Sequence, residues 1–151
     1  MKGLRIGGHP LHPALVHFPI ACWTAAPLLD GISLLGHDPA WWHLAFWCIT
    51  AGLITGVAAM GAGFMDLLAL PVGHPAQRTG QRHLLLMGGA WCIFIIDLLG
   101  HSLQGLPASG EVWLGLSLSL AGFCVLLAGA YAGAQLVYAF GVGQIQHHDK
   151  T

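Results

Sequence analysis

The stretch Val112–Tyr138, VWLGLSLSLAGFCVLLAGAYAGAQLVY, decides the fold class, because its 27 residues include no charged side chain. An α-helix rises about 1.5 Å per residue, so roughly 20 apolar residues cross the ~30 Å hydrocarbon core of a bilayer. Three further stretches are long and apolar enough for the same purpose. The sequence therefore predicts four transmembrane helices, at about 14–35, 42–70, 83–99 and 112–138.

The composition of the whole chain points to the same environment. Of its 151 residues, 56% are hydrophobic and only 7% are charged, and the mean hydropathy is +0.71. Soluble domains carry roughly 25% charged residues because their surface is hydrated. The composition therefore excludes a water-soluble enzyme and makes the lipid bilayer the main partner. The formal net charge of −1 excludes the basic surface that nucleic acid binding requires.

The segments between the predicted helices are short and rich in turn residues. They lie near 36–39, 71–75 and 105–110 and contain glycine, proline or both. None is long enough to separate two domains. We expect residues 1–151 to form a single domain, an all-α integral membrane four-helix bundle.

The positive charges predict how the bundle is oriented. They fall before the first helix, between the second and third, and after the fourth: Lys2, Arg5, Arg78, Arg82 and Lys150. These segments share one side of a four-helix bundle, and the positive-inside rule makes that side cytoplasmic. We therefore expect a multi-pass protein of the bacterial inner (cytoplasmic) membrane with both termini cytoplasmic. Trp41, Trp42 and Trp113 are then expected in the aromatic belt of the opposite interface.

Glycines recur along one face of the fourth predicted helix. Gly115, Gly122 and Gly129 are spaced by seven residues, and Gly129 pairs with Gly133 at a spacing of four. Small residues let helices approach closely in lipid. The favoured interpretation is packing within one bundle, and the alternative is a homodimer through this helix.

Histidines outnumber lysines and arginines in this chain, ten against five. In the opening segment, Pro13 suits the first turn of a helix and places His12 near its start. Pro19 lacks an N–H group and is expected to kink the helix just past His17. A kink beside an imidazole would open room for a ligand.

Three polar side chains are expected to meet at the cytoplasmic level of the bundle. His17, Asp66 and His83 come from three different helices at similar depth. Imidazoles from facing helices can ligate a haem iron axially, so His17 and His83 are predicted to bind one haem b. Asp66 is expected to orient one imidazole. The alternatives are a transition-metal ion held by His9, His12, His17 and His83 with Asp66, and histidines that cap helices and bind nothing.

A second polar group is expected on the opposite side of the membrane. Its members are Asp30, His37, Asp38, His43, Asp97, His101 and Glu111. Ordinary interfacial histidines, and carboxylates bonded to a neighbouring helix, are the favoured interpretation. Proton or ion handling is the alternative, because buried carboxylates mark such paths.

Several stretches resemble a known family. They are HPLHPALVHFPIA at 9–21, GFMDLLALP at 63–71, RTGQRH at 78–83 and LVYAFGVG at 136–143. Together they are similar to the bacterial membrane family catalogued as domain of unknown function 2231. The resemblance spans nearly the whole chain and implies four transmembrane helices. It singles out His9, His12, His17, Asp30, Asp66 and His83.

The resemblance also suggests a role. Members of the family can be fused to Rieske-type iron–sulfur domains, which implies electron transfer, with a quinone or a redox protein as partner. This chain departs from the family pattern at Gln135, where Glu is frequent, and at Ala139-Phe140, where Arg-His is frequent. A transition-metal-binding or transport module, and a non-catalytic subunit of a larger membrane complex, are the alternative functions. The sequence leaves open whether the protein is an enzyme.

Overall fold

The computed structural model describes residues 3–36, 38–102 and 109–144. A two-stranded antiparallel hairpin, β1 (Arg5–Ile6) and β2 (His9–Pro10), precedes the helices. The helices are α1 (Leu11–Leu15), α2 (His17–Gly36), α3 (Pro39–Leu68), α4 (Ala76–Ser102) and α5 (Ser109–Tyr138).

The helices form four spans, which confirms the predicted all-α, four-helix membrane fold. The segment Leu11–Gly36 contains α1 and α2, and α3, α4 and α5 supply the other three spans. Their outer surface is apolar, and more than half of each of these side chains is exposed: Leu28, Ile54, Leu85 and Leu127. Such a surface is stable in contact with lipid and unfavourable in water.

The first span is interrupted earlier than the sequence suggested. The helix breaks at Val16, between α1 and α2, rather than just past His17. Pro19 then lies in the first turn of α2, where its missing N–H group is tolerated. The break changes the direction in which His12 and His17 project, because they now belong to different helices.

The third span is longer than predicted and begins at Ala76 rather than near His83. Its first turns carry Arg78 and Arg82, which are exposed. Hydropathy detects only the part of a helix that lies in lipid, so this polar extension was missed. Its start is capped by His74, whose Nδ1 accepts a hydrogen bond from the Ala76 N–H at 3.1 Å.

The core of the bundle is built around two stacked aromatic rings. Trp23 of α2 lies parallel to Phe94 of α4, with ring centroids 4.9 Å apart. Ile49 of α3 and Leu126 of α5 are buried in the same cluster. All four spans therefore share one core at mid-membrane.

The glycines of α5 face the interior of this bundle. A Cβ atom would meet Trp42 and His101 at Gly115, Phe94 at Gly122, Met87 at Gly129 and His83 at Gly133. The stripe is thus used for packing inside one chain, mostly against α4. These contacts do not support a homodimer through the glycines, and that alternative stays a prediction.

Close approach of α2 and α3 depends most strongly on Gly52. A Cβ atom at Gly52 would clash with the Trp23 indole, whereas at Gly61 of the same helix it would meet nothing within 4 Å. We expect Gly52→Ala to lower the free energy of unfolding by about 1–3 kcal/mol, as overpacking typically does. The matched control Gly61→Ala should leave the thermal unfolding midpoint in detergent unchanged or slightly raised. Equal midpoints for both variants would contradict this packing.

Candidate functional site

A cavity of about 320 Å³ opens at the end of the bundle that carries the N-terminal hairpin. All four spans contribute to its wall, and nearly all of the lining side chains are apolar. The exceptions among the described residues are His12, Asp66 and His83. An apolar cavity of this size with a few convergent polar groups is typical of a small-molecule or cofactor site.

Two histidines of this cavity face each other. The ring centroids of His12 in α1 and His83 in α4 lie 6.0 Å apart, and the ring planes are inclined by 82°. His12 Nδ1 lies 2.8 Å from the Ala59 carbonyl oxygen, and His83 Nδ1 lies 2.8 Å from that of Gly129. A carbonyl only accepts, so both Nδ1 atoms carry a proton and donate it. In neutral imidazoles this leaves the Nε2 lone pairs free to bind a ligand.

Glycines make room for both rings. A Cβ atom at Gly63 of α3 would lie 2.8 Å from His12 Cε1, and one at Gly133 of α5 would lie 3.0 Å from His83 Cε1. These separations are shorter than carbon atoms normally allow. Each imidazole therefore donates to a backbone carbonyl and packs against a glycine, where any larger residue would clash with the ring.

Asp66 anchors the N-terminal hairpin beside the cavity. Its Oδ1 accepts a hydrogen bond from the Leu4 N–H at 3.0 Å, and the Leu11 N–H bonds to the Leu4 carbonyl at 2.9 Å. The hairpin turns through Gly7 and Gly8, which both have positive φ, as a tight two-residue turn requires. Asp66 thus lines the cavity as expected, but the hydrogen bond described for it goes to the backbone rather than to an imidazole.

The structure does not bring His17 or His9 to this cavity. His17 is exposed at the start of α2, with its Nδ1 3.4 Å from the Ala14 carbonyl oxygen, and His9 is exposed on β2. Neither residue lines the cavity. The histidine opposite His83 is His12, because the helix break at Val16 separates its direction from that of His17.

The opposite end of the bundle holds a buried polar cluster. Asp30, Asp97 and His101 have fully buried side chains. His101 Nε2 lies 3.0 Å from Asp30 Oδ1, and the Ser119 hydroxyl donates to Asp30 Oδ2 at 2.7 Å. His101 Nδ1 lies 3.0 Å from the Asp97 carbonyl oxygen and 3.2 Å from Asp97 Oδ1. We call Asp30, Asp97 and His101 the buried triad.

The remaining members of the expected second group lie elsewhere. His43 is exposed, and Asp38 caps α3 by accepting from the Ala40 N–H at 2.9 Å. His37 and the side chain of Glu111 lie outside the described residues. The prediction that Trp42 belongs to the aromatic belt was wrong. Trp42 is 1% exposed and stacks on His101 with ring centroids 3.7 Å apart. Trp41 and Trp113 are exposed, as a belt requires.

The sequence favoured ordinary histidines at the membrane interface, whereas His101 is buried and contacts two aspartates. Asp97 and His101 are four residues apart and therefore share one face of α4. The spacing of Asp97 and His101 can be read from the sequence and indicates that the two side chains are neighbours. It does not indicate that Asp30 of α2 lies at the same level. The cavity and the triad lie at opposite ends of the bundle, since His83 and His101 of α4 are separated by about five turns, roughly 27 Å.

These features define the class: a multi-pass four-helix membrane protein with an apolar, histidine-lined cavity at one end. The chain belongs to the DUF2231 family, described as predicted membrane proteins, whose model matches residues 8–146. No curated protein and no solved structure matches it significantly. All four stretches that carry the resemblance contribute to the cavity wall, among them Val16, Leu67, Gly80 and Val142. The cavity wall does not include the positions at which this chain departs from the family pattern, Gln135, Ala139 and Phe140.

Proposed function

We propose that this protein binds one haem b in the cavity and takes part in electron transfer at the membrane. His12 and His83 are the axial ligands in this proposal, and His12 replaces His17 in the pair expected from the sequence. The observation that carries the proposal is the pair of facing imidazoles, each fixed through Nδ1 by a carbonyl of a neighbouring helix.

The spacing of the two rings suits a shared metal centre. Two imidazoles on opposite sides of one ion have ring centroids roughly 6 Å apart, given metal–nitrogen bonds of about 2 Å. The rings of His12 and His83 have centroids 6.0 Å apart. Hydrogen bonds from the second ring nitrogen to backbone carbonyls are the usual means of orienting such ligands. The distance between the two rings therefore supports the proposal that both bind one iron.

The surroundings suit an apolar macrocycle. Pro19, Trp23, Leu84 and Leu126 belong to the wall of the cavity. A haem bound there supplies a centre that takes up and releases one electron. His12 and His83 would hold the haem, and the apolar wall would cover part of its surface.

We propose that this end of the bundle faces the cytoplasm, and the distribution of positive charges supports this orientation. Arg5, Arg78 and Arg82 are carried by the hairpin and by the start of α4, at the end where the cavity lies. By the positive-inside rule this end faces the cytoplasm of a bacterial inner membrane. A quinone in the bilayer or a cytoplasmic redox protein would then exchange electrons at this end.

The optical spectrum of the purified protein tests the proposal. Protein produced with added haem should contain one haem per chain. It should have a Soret band and, after reduction with dithionite, sharp α and β bands of six-coordinate iron. Colourless protein that is folded and was supplied with haem would refute it.

A transition-metal ion in the same cavity is the second candidate. Met60 and Met87 line the cavity together with His12 and His83. Two thioethers and two imidazoles are a donor set that suits copper(I). Stoichiometric copper in colourless protein, lost in the Met87→Leu variant, would favour this candidate over haem.

A further inference from the structure

No arginine among the described residues lies near the buried triad. The arginines among the described residues are Arg5, Arg78 and Arg82, which all belong to the other end of the bundle. With both carboxylates ionised, Asp30 and Asp97 carry two negative charges, and His101 supplies at most one positive charge. A net charge buried in an apolar interior is strongly unfavourable. The triad therefore requires at least one further cation, either a proton or a metal ion.

Two lone pairs in the triad face each other. His101 Nδ1 donates its proton to the Asp97 carbonyl oxygen at 3.0 Å. In the neutral imidazole, Nε2 then presents a lone pair to Asp30 Oδ1 at 3.0 Å. Two lone pairs at this distance repel unless a cation lies between them or bridges them. This atom pair therefore requires either a proton between the two atoms or a metal ion that bridges them.

The carboxylate of Asp97 favours a metal ion over a proton. The side chain is fully buried; its Oδ1 lies 3.2 Å from His101 Nδ1, but its Oδ2 has no hydrogen-bond partner among the described residues. A proton on Oδ2 would leave an O–H group there without an acceptor. A divalent ion gives this carboxylate a partner. It also neutralises both aspartates while His101 remains uncharged.

The donor atoms are already close together. One atom from each of Asp30, Asp97 and His101 lies within 4.8 Å of the other two. Ligand atoms bound at about 2.0–2.2 Å to one ion lie at most ~4.4 Å apart, so small side-chain rotations complete the site. Ser119 holds Asp30 at 2.7 Å, and Trp42 stacks on His101. These contacts orient two of the three ligands.

We propose that Asp30, Asp97 and His101 bind one divalent first-row transition-metal ion, a site separate from the histidine cavity. A set of two carboxylates and one imidazole suits ions such as Zn²⁺ and Mn²⁺. The site lies near the last turn of α4, at the end of the bundle farthest from the cavity.

Zinc titration of the full-length protein tests this site. After treatment with a chelator, the wild-type protein in detergent should bind one Zn²⁺ per chain and unfold at a higher temperature when Zn²⁺ is present. Asp97→Asn preserves the shape of the side chain but removes an anionic ligand. It should weaken Zn²⁺ affinity by on the order of 100-fold or more and abolish the thermal shift.

The control variant is His12→Ala, which removes a histidine of the cavity and leaves the triad intact. It should bind Zn²⁺ like the wild type. Failure of the wild type to bind Zn²⁺ would overturn the proposal. Binding that persists in Asp97→Asn and disappears in His12→Ala would also overturn it, because the ion would then belong to the cavity.

Discussion

Replacing His12 or His83 by alanine is expected to abolish the haem spectrum that we propose for this protein. Each variant removes one imidazole of the facing pair in the cavity, and a single remaining ligand cannot maintain six-coordinate, low-spin iron. We expect complete loss of the sharp reduced α and β bands in both variants. Absorption spectra, with haem content measured in the same samples, check this prediction.

The matched control is His17→Ala. His17 belongs to the same proline-rich segment and to the same predicted set of ligands, but it is exposed and does not line the cavity. This variant should keep the wild-type spectrum and one haem per chain. Loss of haem in His17→Ala, with retention in His12→Ala, would reverse the assignment of the axial ligand.

Replacing Asp30 by alanine is expected to cause the largest loss of stability. Asp30 is fully buried and accepts from Ser119 at 2.7 Å, and its Oδ1 lies 3.0 Å from His101 Nε2. Without it, His101 Nε2 loses its partner in the buried interior, and the Ser119 hydroxyl keeps only the Leu116 carbonyl oxygen at 3.2 Å. In the metal-free protein a proton lies between Asp30 Oδ1 and His101 Nε2, so the two side chains form a buried ion pair, and removing one partner of such a pair costs about 3–5 kcal/mol. Unfolding in detergent with a chelator present measures the loss without any contribution from bound metal.

Asp38→Ala provides the comparison for this effect. Asp38 follows the same helix but is exposed, and it caps α3 through one hydrogen bond to the Ala40 N–H. Loss of an N-cap typically costs about 1 kcal/mol. If Asp30→Ala were no more destabilising than Asp38→Ala, the buried triad would not have the structure described.

The fold could be predicted because it depends on hydropathy and residue spacing, which can be read directly from the sequence. Long uncharged stretches define the spans, as in 112–138, and the glycine spacing of that stretch indicates helix packing. The start of α4 was missed because Arg78 and Arg82 lie on a helical extension outside the apolar segment. Hydropathy has no signal for such an extension.

The cavity could be predicted only in part, because it depends on side-chain directions. The sequence places His12, His17, Asp66 and His83 at one level of the bundle, but the break at Val16 decides which histidine faces His83. Helical periodicity gives side-chain directions within one helix but not across a break. The pairing of His12 with Ala59 and of His83 with Gly129 has no counterpart in the sequence pattern.

The most direct test of the central claim, that His12 and His83 bind one haem, is electron paramagnetic resonance of the oxidised, haem-loaded protein. The two imidazole planes are inclined by 82°. Nearly perpendicular axial imidazoles leave two iron d orbitals almost equal in energy, so we predict a strongly anisotropic low-spin ferric signal. A high-spin signal, typical of a single axial ligand, would contradict the account, as would haem-supplied, folded protein without any ferric haem signal.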